Sequence, residues 1–147
     1  MLPDDSRALL AVWLGLALAL AGLGALVRRA WGARTVDACG WLIATWLGWG
    51  ASVCLLQVWH LVLPIDARAA ATVGALGAIG LIASGAAPWR VIKRGIRAHP
   101  AALTARAIVA LWLSNQCLGG PRNGDSGYYH VPIIRWSVAY PAVPGIA

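Results

Sequence analysis

Asp125 and His130 carry the most chemical potential in a chain that has few ionisable groups. Asp125 is the only acidic residue after Asp66. A lone carboxylate above a membrane bundle can serve as a general base or as one ligand of Mg²⁺ or Mn²⁺, with His130 as its partner. Spacing adds little, because residues five apart do not share a helical face and one carboxylate is not a metal site. On spacing alone, a solvated loop is the simpler reading. Polar groups inside apolar runs form the second set, since they are expensive in lipid. Gln57 and His60 are three apart and share a helical face, and Ser114, Asn115 and Gln116 close a later apolar run. These groups either meet headgroups and cap helix ends or floor a cavity that opens outward. Arg106 either snorkels to headgroups or binds a phosphate. Cys39, Cys54 and Cys117 show neither C-x-x-C nor metal-ligand spacing and read as small apolar helix residues.

The elements that must hold these residues are membrane helices. Of 147 residues, 60% are hydrophobic and only 12% charged, with no Glu and a single Lys. A soluble domain carries about twice that charge. The composition excludes a disordered chain, a coiled coil and an ordinary cytosolic enzyme. A span needs roughly 20 apolar residues. Four segments meet that length, at about residues 8–27, 39–64, 69–89 and 100–118. The expected fold is an all-α membrane protein: a four-span bundle over 1–118, then an extracytoplasmic loop with a short interfacial helix over 119–147. Pro100 suits a first helical turn, and Gly119-Gly120-Pro121 terminates the fourth segment.

The net charge of +7 resolves into clusters between the apolar runs, which fits membrane topology and argues against nucleic acid. Arg28, Arg29 and Arg34 follow the first segment, and Arg90, Lys93, Arg94 and Arg97 follow the third. The positive-inside rule places both clusters in the cytoplasm and both termini outside. Asp4 and Asp5 ahead of the first segment, with arginines behind it, mark a retained span and not a signal peptide. Gly74, Gly77, Gly80, Ser84 and Gly85 make the third segment the one expected between neighbours. Trp41, Trp46 and Trp49 are expected to pack against that glycine-rich helix.

From Asn123 the chain changes character. Asn123-Gly124 signals a turn, and Pro132 opens a short helix whose Ile133, Trp136 and Tyr140 share an apolar face, with Arg135 off it. The run Asp125-Ser126-Gly127-Tyr128-Tyr129-His130, then Ile134-Arg135-Trp136, Tyr140 and Val143-Pro144-Gly145-Ile146-Ala147, resembles a loop in a family of bacterial multi-pass membrane proteins. Those proteins are similar to the C-type glycosyltransferases, membrane enzymes that use polyprenyl-phosphate-linked sugars. The resemblance implies a bacterial inner membrane and a role in cell-envelope glycan assembly. It also implies that Asp125 is a catalytic or Mg²⁺- or Mn²⁺-binding acid with His130 beside it, and that Tyr129 and Arg135 contact substrate. It covers about 25 residues. Proteins of that kind are several times longer, so the chain is expected to be an N-terminal piece, inactive alone. The alternative is a small non-catalytic four-span scaffold or assembly subunit. A transporter ranks last, because the spans offer only Arg106, His60 and Gln57 as ion sites.

Overall fold

The computed structural model describes residues 4–33, 37–117 and 129–142. Within them the chain forms six helices and no strand: α1 (Asp4–Ala30), α2 (Ala38–His60), α3 (Ala67–Ala83), α4 (Ala87–Ala98), α5 (Pro100–Cys117) and α6 (Val131–Ala139). At 1.5 Å per residue, α1 is about 40 Å long, α2 about 35 Å and α3 about 26 Å.

Local chemistry sets the helix ends. Arg28 and Arg29 lie in the last turn of α1, where cations complement the exposed carbonyls. Gly32, at φ +75°, then reverses the chain, and the amides of Gly32 and Ala33 donate back to the carbonyls of Arg29 and Arg28. That pairing closes a helix on a left-handed residue and suits glycine. Asp37 caps α2, accepting from the Gly40 amide at 2.7 Å, and Asp66 caps α3.

The helix at the centre is α1, not α3. Its Leu20 and Gly24 meet α2 at Ala44 and Gly48, while its Ala19 and Gly22 meet α3 at Gly77 and Gly80. A Cβ on Gly24 would fall on the Ala44 carbonyl, and one on Gly22 would fall on the Gly77 carbonyl. Gly40, Ala44, Gly48 and Ser52 recur every fourth residue and are all buried, a small-residue stripe that lets backbones touch where lipid supplies no hydrophobic drive. On α3 the buried residues Ala69, Val73, Gly77 and Gly80 lie on one face only. That helix therefore flanks the bundle, contrary to the expectation from its glycine content. The tryptophans also depart from expectation. Trp46 and Trp49 stack edge to face with centroids 5.9 Å apart, both on the exposed surface of α2. The small-residue stripe occupies the buried face, so the bulky rings project the other way.

Two helices, α1 and α2, are long and apolar enough to cross a membrane, and a third span exists only if α3 and α4 count as one bent unit. Four spans were expected. The third segment breaks after Ala83: Ser84 turns its hydroxyl back to Gly80, Gly85 adopts φ +58°, and α4 leaves at 80°. The fourth segment forms a helix, α5, but not a candidate span: its 18 residues include Arg106, Ser114, Asn115 and Gln116, which lower its apolarity. This is the build of a helical membrane protein with two or three candidate spans.

Candidate functional site

Because α2 and α3 pack on two sides of α1, they diverge from each other and leave a cleft of about 470 Å³. Val12 and Leu16 of α1, Leu56 of α2, and Val73 of α3 supply apolar walls. Gly15 and Gly74 line it too, and a Cβ on either would point into open space. The volume lies within the ~300–1,000 Å³ of small-molecule sites, and the lining is mostly apolar with few polar groups, as such sites are. Ser52 and Asp66 are its polar members. Ser52 Oγ donates to the Trp49 carbonyl at 2.8 Å, which leaves Asp66 as the charged feature of the rim.

Asp66 is held by its own turn. The Arg68 amide donates to one carboxylate oxygen and Arg68 Nε to the other, each at 2.9 Å. Partial removal from water pushes the carboxyl pKa up. Those Arg68 hydrogen bonds, the guanidinium charge and the Ala69 amide outweigh that effect and hold it below the usual 3.8. The acid is therefore ionised at neutral pH and engaged by Arg68 at the mouth of an apolar cleft. Trp59 Nε1 braces the same turn by donating to the Pro64 carbonyl at 3.0 Å.

The C-terminal segment docks on this end of the bundle. The Ile65 amide donates to the Ser137 carbonyl at 2.8 Å, and the Ala142 amide donates to the His60 carbonyl at 2.7 Å. The short helix expected after Pro132 forms as α6, with Trp136 and Tyr140 rings 5.8 Å apart. Tyr129 and His130 make the turn entering α6, and both are exposed, as is Arg135. Asp125 lies outside the described residues. His60 is half-buried with its Nδ1 enclosed and without a hydrogen-bond partner, whereas Gln57 faces outward. Ser114 is fully buried and donates to the Leu111 carbonyl, while Asn115 and Gln116 are exposed. Cys39 and Cys54 are free and exposed.

Sequence reasoning singled out the loop and missed the cleft. Its walls are Leu, Val and Gly indistinguishable by type from lipid-facing residues, and only the divergence of α2 from α3 creates it. The Asp66-Ala67-Arg68 turn carried one signal, an acid placed to cap the next helix. Among the described residues, no group of three or more His, Cys, Asp or Glu could hold a metal. Neither curated proteins nor solved structures give a significant match to the chain. A family model described as Domain of unknown function (DUF8201) matches residues 8–147, and the chain belongs to that family.

Proposed function

We propose that this chain works in a polytopic protein of a bacterial inner membrane, in cell-envelope glycan assembly, with its cleft receiving the isoprenoid chain of a polyprenyl-phosphate-linked sugar. The observation that carries this reading is the apolar cleft ending at a polar turn onto which α6 is hydrogen-bonded. A lipid-linked sugar needs that juxtaposition, an apolar wall for the chain and polar groups for the head. In this reading the cleft end faces outward. Arg29 of α1 donates to the Ala83 carbonyl at the foot of α3, so the basic ends of α1 and α4 gather at the opposite end, which this reading takes as the cytoplasmic one. Asp125 acts as general base toward an acceptor hydroxyl, with His130 as its catalytic partner, and Tyr129 and Arg135 contact the head. A metal at Asp125 would need further ligands beside its one carboxylate.

The test uses the native protein in nanodiscs with a photoactivatable polyprenyl phosphate. Gly74→Leu and Gly15→Leu fill the cleft from positions that touch nothing, so each should cut crosslinking severalfold while the helices stay folded. Asp125→Asn should keep crosslinking and abolish surface glycan. Crosslinking indifferent to both leucines would sink the cleft assignment. Loss of crosslinking with glycan unaffected by Asp125→Asn would favour a non-catalytic lipid-binding subunit.

A further inference from the structure

The 80° turn at Gly85 sends α4 across the direction of α3. Its twelve residues divide sharply by face. Arg90, Lys93, Arg94 and Arg97 recur at i, i+3, i+4 and i+7 and occupy one arc of about 100° at 100° per residue. Trp89, Ile92 and Ile96 lie on the other side and are exposed, Trp89 at 57% and Ile96 at 52%. All four basic residues are exposed too, and Lys93 Nζ sits 5.1 Å from the Trp89 ring centroid. No acidic residue lies anywhere in α4 or α5. Arg29, at the foot of α3, adds another cation to the same end.

From this arrangement we infer that α4 is a docking helix for an anionic phospholipid surface, lying in the headgroup plane with Trp89, Ile92 and Ile96 in the acyl boundary and its four cations on lipid phosphates. Three observations fix the occupant. The Arg29–Ala83 hydrogen bond puts the start of the helix beside the end of α1, a candidate span, where headgroups are. The exposed apolar arc is the kind of face that interfacial helices bury, and the basic arc matches anionic lipid in charge. Indole at the margin of such a helix takes the interfacial position it prefers. A basic residue near an anionic leaflet strengthens association by about fivefold.

Hydrogen–deuterium exchange on the whole protein tests this, in nanodiscs of phosphatidylcholine with and without phosphatidylglycerol. The amides of residues 87–98 should exchange several-fold more slowly in the anionic discs, with the difference shrinking as salt is raised. Replacing Arg90, Lys93, Arg94 and Arg97 by Gln should remove the difference between discs and leave α1 and α2 protection unchanged. Ile92→Ser with Ile96→Ser should lower protection in both discs. Equal α4 exchange in the two lipids would overturn the proposal, as would an anionic preference that survives the four Gln replacements. Protection induced by soluble glycerol phosphate in neutral discs would also overturn it, because a free anion and not a surface would then be the ligand.

Discussion

Gly24 and Gly48 approach so closely that each occupies the space where the other helix would meet a side chain. A Cβ on Gly48 would strike the Leu20 carbonyl and the Gly24 amide. Gly24→Ala should therefore force α1 and α2 apart and destabilise the bundle by about 1–3 kcal/mol, the usual cost of overpacking. Gly50 lies on α2, two residues after Gly48, with open space around it. Gly50→Ala should melt at or above wild type, since alanine is favoured in a helix interior by about 0.5–1 kcal/mol. Thermal unfolding in detergent, followed by circular dichroism, compares the two. In the sequence Gly48 and Gly50 look alike; only their phase relative to Gly40, Ala44 and Ser52 separates them. The outward turn of Trp46 and Trp49 follows from the same phase. Asp66 makes a second prediction at this scale. Its carboxyl is held below 3.8, so the stability it confers is complete above that value and is lost as pH falls through the lower folded-state value. In wild type, protection of the first α3 amides should decline as pH falls below 3.8. Asp66→Asn keeps a capping oxygen but has no proton to bind, so its α3 protection should lack that acid-side loss. An unchanged acid limb in the Asn variant would show that another carboxyl controls it.

At the scale of elements, hydropathy and charge located α1, α2 and α5 to within a few residues, because Arg28-Arg29 and Pro100 are strong local signals. The break in the third segment was hidden. Ser84-Gly85-Ala86 is small and uncharged, so a hydropathy average runs through it, and only backbone geometry reveals that Gly85 turns left-handed. The helical spacing of Arg90, Lys93, Arg94 and Arg97 was on view, yet clustered charge reads as a loop unless its period is counted. The bend depends on that glycine. A side chain at φ +58° costs roughly 1–2 kcal/mol, more for a β-branched residue. Gly85→Val should shift the α3–α4 angle or broaden it. Spin labels on α3 and near Arg97, in a variant without the native cysteines, would read the change as a displaced or widened distance distribution. A distribution identical to wild type would mean that packing, not Gly85, holds the turn.

For the whole molecule, the asymmetry between the two ends of the bundle is the feature with most consequence. One end gathers Arg29 and the four cations of α4, and the other carries the Asp66–Arg68 turn with α6 hydrogen-bonded to it. The helix α5 begins next to the end of α4, and α6 rests on the α2–α3 turn. That the two basic segments share one side was readable from their place between apolar runs, but that α6 closes on residues 60–66 needed the folded chain. Lys and Arg are retained on the cytoplasmic side, so the proposed orientation has a direct consequence. In a cysteine-free background, a cysteine replacing the exposed Ala67, beside the turn, should react with a membrane-impermeant maleimide on intact cells stripped of any outer barrier. A cysteine replacing Ala98, at the far end of α4, should react only after the membrane is opened. The opposite pattern would place the cleft mouth and α6 in the cytoplasm, where an outward-facing lipid-linked sugar cannot reach them, and the proposed function would fall with the orientation.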